Sequence, residues 1–170
     1  MSIRPAEVML PLRSTNPATS PWIRIVPERS PYILIMGVAF GLNLLWEMGQ
    51  ATLYADMAGL PALDASRRCV LASLGDVAII AASLFVPAAL AWRIPLSLPR
   101  RVGDTILFAF IAFSLSILIE RHALFTGRWR YGSDMPIVPW LEIGLGPMVQ
   151  WLIIPWLSLR ITLGIIRLLK

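Results

Sequence analysis

Four apolar runs, each close to twenty residues long, dominate the chain, and the segments between them hold most of its prolines and charges. A run of that length, wound as an α-helix, matches the hydrocarbon thickness of a bilayer. The apolar residues fill the runs rather than recurring as an amphipathic stripe. The pattern predicts membrane-spanning helices over about 31–54, 69–92, 104–120 and 140–159, with a helical extension along the interface to 170. Pro31 suits a first helical turn, where its missing N–H is one that the turn leaves unpaired. Pro95 and Pro99 break the chain between the second and third runs. Barrel strands would alternate polar and apolar residues over about 10 positions, and the runs do not. The expected fold class is all-α, an integral membrane bundle of four transmembrane helices over 31–170. Residues 1–30 carry five prolines among Ser, Thr, Asn and Arg, which predicts an irregular N-terminal tail.

Composition strengthens this reading. With 57% hydrophobic and 15% charged residues, the chain lacks the polar material to cover a water-soluble domain. The net charge of +5 comes from Arg and Lys spread among the segments that flank the runs, with no basic block, which argues against nucleic acid and for membrane topology. A cytoplasmic N-terminus places Arg4, Arg13, Arg24, Arg29, Arg93, Arg100, Arg101, Arg160, Arg167 and Lys170 inside. It leaves Arg67, Arg68, Arg121, Arg128 and Arg130 outside. Ten against five favours both termini inside, and compact loops without a targeting segment point to a bacterial plasma membrane. The single cysteine, Cys69, excludes an intramolecular disulfide and a multi-cysteine zinc site, and His122 alone cannot supply two imidazoles to a haem.

Candidate chemistry begins in the first run. Asn43, Glu47, Gln50 and Tyr54 are spaced four, three and four apart, which puts them on one helical face. A carboxylate inside a span costs about 3 kcal/mol, so Glu47 is expected to face other helices or a water-filled cavity. The plainer role for such a stripe is to hold helices together, at about 1 kcal/mol or less per contact. Asp76 lies about seven residues into the second run, at the depth Glu47 has from its own outer end. The third run ends in Glu120-Arg121-His122, and the fourth opens with Glu142 and continues to Gln150 and Trp151. Every run thus brings an acid to the outer half, although Glu120 and Glu142 fall where a solvated terminal acid is ordinary.

Arg128-Trp129-Arg130-Tyr131 reads either as an interfacial aromatic belt or as a lid that offers arginines to an acidic or phosphate-bearing head group. Pro147 and Pro155 are each expected to remove a helical hydrogen bond and kink the fourth run, where Gly144 and Gly146 permit close packing. Glu47, Asp76, Glu120, His122 and Glu142 together suggest an oxygen-rich metal site. However, Glu120 and His122 are two residues apart and diverge on a helix, unlike the Glu-x-x-His pairs of di-iron bundles, so no metal is assigned. The sequence specifies no cofactor, and it carries no phosphate-binding glycine loop, HExxH helix or serine elbow.

Three function classes fit. The first is a membrane enzyme with Glu47, Asp76 and Glu120 as catalytic acids and bases, since a carboxyl withdrawn from water suits proton transfer near neutral pH. Asn43, Gln50, Tyr54, His122, Arg128, Arg130, Tyr131, Glu142, Gln150 and Trp151 would then bind the substrate. A small bundle with isolated acids and tryptophans is similar in general character to membrane sterol isomerases and integral membrane terpene cyclases. That likeness implies an isoprenoid- or lipid-like substrate and carries over no site residue. The second class is a non-catalytic subunit or assembly factor of a larger membrane complex. The third is a proton, ion or small-solute transporter working as a homo-oligomer. Asp104, beside Gly103 at a helix start, is the one acid expected in the cytoplasmic half, so no relay of acids crosses the bundle. In each case the surrounding partner is membrane lipid.

Overall fold

The computed structural model describes residues 30–90 and 98–169, with side chains for 31–86 and 98–169. The expected tail, and the link that contains Arg93 and Pro95, lie outside the described residues. Four helices account for most of the rest: α1 Ser30–Gln50, α2 Ala62–Leu90, α3 Val102–Phe125 and α4 Leu145–Leu168. Each contains a segment long and apolar enough to cross a membrane, with mean hydropathy of 1.5, 2.2, 2.2 and 1.6 in chain order. The fold is an all-α bundle of four such helices, as the hydropathy pattern predicts.

The boundaries differ from the pattern for identifiable reasons. The helix α1 ends at Gln50 and gives way to two short 3-10 turns, Ala51–Leu53 and Ala55–Met57, with Tyr54 extended between them. The helix α2 starts directly after Pro61, whose carbonyl accepts the N–H groups of Asp64 and Ala65 at 3.0 Å each. Asp64 sits in its first turn, where a negative charge meets the positive end of the helix dipole. Arg67 and Arg68 are therefore helical. The helix α3 runs past Glu120 and His122 to Phe125, and Gly127, in the left-handed region at φ 67°, turns the chain out of it.

The start of α4 is at Leu145, not near Trp140. The preceding segment forms two short strands, β1 Ile137–Val138 and β2 Ile143–Gly144, paired antiparallel with Ile137 opposite Gly144 and Val138 opposite Ile143. Pro147 consequently falls in the first turn of α4, where its N–H would have no helical acceptor. Of the two prolines, only Pro155 removes an interior hydrogen bond. The extension expected along the interface is a continuation of α4 itself, unbroken to Leu168.

The helices close into a ring in which α1 packs on α2 and α4, and α3 packs on the same two from the other side. Lipid supplies no hydrophobic drive between helices, so close approach of backbones and interhelical hydrogen bonds hold such a ring. The centre follows that rule. Ala39 and Ala112 are fully buried beside Ile35, Ile80, Phe108 and Leu159, while Ile106, Phe110, Leu118 and Leu152 are exposed on the outer surface.

Candidate functional site

The polar face of α1 turns inward, as its spacing requires. Asn43 is fully buried and donates from Nδ2 to the carbonyl of Ala39 at 2.9 Å. One turn on come Glu47 and Gln50, and across from them Gln150 enters from the second turn of α4, also buried. The Nε2 of Gln150 lies 2.9 Å from Asn43 Oδ1, 3.2 Å from Glu47 Oε1 and 3.0 Å from Asp76 Oδ2. Gln50 Nε2 completes the cluster, donating to Gln150 Oε1 at 3.1 Å and to Glu47 Oε1 at 2.9 Å. Trp46 Nε1 fixes the other end of that amide at 3.2 Å. Glycine at 146 leaves room for this approach, because a Cβ there would come within 2.7 Å of Gln50 Oε1 and push that side-chain end aside.

Gln150 has two amide protons and three acceptors around its nitrogen. Gln50 supplies the remaining donors, one proton to Glu47 Oε1 and one to Gln150 Oε1, so every amide oxygen and one oxygen of each carboxyl in the cluster is met. Glu47 and Asp76, from different helices, face the same nitrogen.

A second centre forms around Glu120, which is buried well inside α3. Its Oε1 accepts the indole N–H of Trp129 at 3.2 Å and the hydroxyl of Tyr131. The Tyr131 oxygen in turn accepts the N–H of Gly144 at 2.8 Å. The Arg128-Trp129-Arg130-Tyr131 segment alternates as an extended chain does. Trp129 and Tyr131 turn inward to Glu120, and Arg128 and Arg130 are exposed, with the Arg128 guanidinium 5.5 Å from the Trp129 ring centre.

This cap is tied to the end of α1. Tyr54 and Tyr131 pair as an antiparallel bridge, with Ala55 N donating to Arg130 O at 2.9 Å and Gly132 N to Leu53 O at 2.8 Å. Asp56 accepts the N–H of Arg130 at 3.2 Å and pairs with Arg68 at 3.0 Å. The Tyr54 and Tyr131 rings lie 5.5 Å apart. Burial raises the Tyr54 phenol above its ordinary range, and the nearby charges of Glu120, Glu47, Tyr131 and Asp76 push it the same way. Burial also raises Tyr131, reinforced by its bond to the Glu120 carboxylate. Both phenols are therefore protonated donors at physiological pH. Tyr54, four residues past Gln50, pairs with Tyr131, which bonds Glu120, so the Gln150 cluster and the Glu120 centre form one polar region at one end of the bundle.

Beside Glu120 a cavity of about 20 Å³ opens between α3 and the start of α4, lined by Ser116, Ile117, Ile143, Pro147 and Trp151. That is room for one water.

The structure thus brings together Asn43, Glu47, Gln50, Tyr54, Asp76, Glu120, Tyr131, Gln150 and Trp151. It leaves the other sequence candidates outside. His122, Arg128 and Arg130 are exposed, and Glu142, at φ 53° in a turn, is exposed and pairs with Arg121 at 3.1 Å. Among the described residues no three His, Cys, Asp or Glu side chains converge as a metal ligand set. Sequence reasoning missed Trp46, Asp56 and Ser116 as parts of the region. Trp46 stands four before Gln50, so helical spacing could have found it, whereas nothing local marks Asp56 as the partner of a backbone 74 residues away. No family model, curated protein or solved structure matches the chain.

Proposed function

We propose that this chain is a membrane-embedded enzyme that works by acid–base chemistry on a lipophilic, isoprenoid- or lipid-like substrate. One observation carries the reading: oxygens of Glu47 and Asp76 lie within hydrogen-bonding distance of the same Gln150 nitrogen. Amides alone would hold these helices together without the desolvation cost of carboxyl groups. Two neighbouring carboxyls in different surroundings divide naturally into a proton donor and a proton acceptor. Glu120, gripped by Trp129 and Tyr131, serves as the fixed acceptor opposite them. The aromatic rings of Trp46, Tyr54, Tyr131 and Trp151 supply apolar walls, and the lipid-facing exterior suits a substrate that arrives through the membrane. Arg128 and Arg130, exposed on the cap, suit an anionic head group.

We place this end of the bundle outside a bacterial plasma membrane, with both termini cytoplasmic. Arg4, Arg13, Arg24, Arg29, Arg93 and Lys170 decide that orientation, and they lie outside the described residues. Native mass spectrometry of the chain in nanodiscs tests the function. The expected result is a monomer or small homo-oligomer carrying a discrete lipophilic ligand that is lost on Glu47→Gln. Obligatory association with a larger chain and no ligand would replace the enzyme with a subunit of a membrane complex.

A further inference from the structure

Two turns beyond Gln150 along α4, Ser158 and Thr162 are both fully buried, and neither hydroxyl has a hydrogen-bond partner among the described residues. The other buried helical hydroxyls set the comparison. Ser73 donates to Cys69 O at 2.8 Å, Ser83 to Ile79 O at 2.7 Å and Ser116 to Phe113 O at 2.7 Å. A bond to the preceding turn is the ordinary outlet for a helical hydroxyl, and these three use it. Ser158 and Thr162 do not. Pro155 lies between them and Gln150, and because it has no N–H it leaves the Trp151 carbonyl without its regular helical donor. The core to which α4 contributes Trp151 and Leu159 is otherwise apolar, with Ile35, Ile80, Leu84 and Phe108. Among the described residues no carboxylate belongs to this core cluster.

Residues four apart on a helix have Cβ atoms about 5–6 Å apart, a span that one molecule of water bridges with a hydrogen bond to each hydroxyl. We infer that Ser158 and Thr162 form an internal water site on α4, and that water held there is a step in a proton route to the Gln150 cluster from the end of the bundle opposite the cap. The route rests on the acid–base reading, and the water site stands without it. At the other end the Tyr54–Tyr131 bridge ties the cap to the end of α1, and Trp129 and Tyr131 hold Glu120. A carboxyl that exchanges a proton with a lipophilic substrate must be reset from water. Hydroxyls carry water through an apolar core without a charge, so a search for acids in that half finds no relay.

The experiment compares wild type with Ser158→Ala, Thr162→Val, Thr162→Ser and the Ser158→Ala/Thr162→Val double variant, all in nanodiscs. Two readouts are used: the unfolding midpoint, and water-edited solid-state NMR transfer to the Gln150 side-chain amide. With water bound, Thr162→Val lowers the midpoint, Thr162→Ser retains it, and the double variant loses transfer to Gln150 while transfer to Tyr131 persists. If the hydroxyls are dry, removing one relieves an unpaired polar group, and a raised or unchanged midpoint for Thr162→Val overturns the site. A midpoint for Thr162→Ser as low as that for Thr162→Val assigns the effect to packing and also overturns it. A lowered midpoint with undiminished transfer to Gln150 leaves an isolated water and overturns the route. Neither readout needs a substrate, so failure here is distinct from failure of the enzyme reading.

Discussion

Gln150 is the residue on which the arrangement depends, because its side chain hydrogen-bonds to both α1 and α2 from α4. Its amide is both the donor for Asn43, Glu47 and Asp76 and the acceptor for Gln50. Replacing it with leucine keeps much of its volume and strands Asn43 Oδ1, Asp76 Oδ2 and one Gln50 proton, while Glu47 keeps its bond from Gln50. Each buried polar group left unmade costs about 1–3 kcal/mol. Partial rearrangement by Gln50 limits the total, so Gln150→Leu is expected to destabilise the bundle by about 3 kcal/mol, measured by unfolding in mixed detergent micelles. A loss below about 1 kcal/mol would mean that the acids have other donors, and the hub would be dispensable. At this scale the sequence was half informative. The α1 stripe was legible because four-residue spacing fixes a face whatever the partner. That Gln150 and not Glu142 meets the stripe was not legible, because it depends on where α4 starts, and Pro139-Trp140 imitates the apolar opening of a helix.

At the scale of elements, the joint between the cap and α4 is made by glycines that are not equivalent. A Cβ on Gly146 would meet the end of the Gln50 side chain, which can swing aside at the loss of its bond to Trp46. A Cβ on Gly144 would lie 2.7 Å from Met135 Sδ and 3.1 Å from the Pro147 ring, and the ring is fixed by the first turn of α4. Gly144→Ala is therefore expected to cost about 1–3 kcal/mol through overpacking. Gly146→Ala should cost about 1 kcal/mol, close to one hydrogen bond. Gly37→Ala and Gly41→Ala meet nothing within 4 Å and exchange a flexible helical residue for the best helix former, a gain of about 0.5–1 kcal/mol each. Unfolding midpoints of the four variants should follow that order, and Gly144→Ala ranking with Gly37→Ala would refute the tight joint. The helices were legible because mean hydropathy integrates over twenty residues. Their ends were not, since Asp64, Arg67 and Arg68 read as loop by charge while serving as the first turns of α2. The hydroxyls of Ser158 and Thr162 escaped notice for the opposite reason, as they barely interrupt an apolar run.

For the whole molecule, what the charges decide is which way the polar end faces. Among the described residues, Arg100, Arg101, Arg160 and Arg167 lie toward one end, and Arg67, Arg68, Arg121, Arg128 and Arg130 toward the other, which by itself gives no inside bias. The arginines of the cap end are also partly spent on local pairs, Arg67 with Asp64, Arg68 with Asp56 and Arg121 with Glu142. The proposed cytoplasmic N-terminus therefore rests on Arg4, Arg13, Arg24, Arg29, Arg93 and Lys170, which flank the described helices in the sequence. The chain offers a clean way to read the outcome. Its one cysteine, Cys69, is 3% exposed and silent to bulky reagents, whereas Trp140, on the turn between β1 and β2, is 94% exposed. Trp140→Cys is expected to react with a membrane-impermeant maleimide in intact cells, while the unsubstituted chain stays unlabelled. Labelling that requires permeabilised cells would turn the bundle over. The acids around Gln150 would then open toward the cytoplasm, and the proton route through Ser158 and Thr162 would have to begin outside.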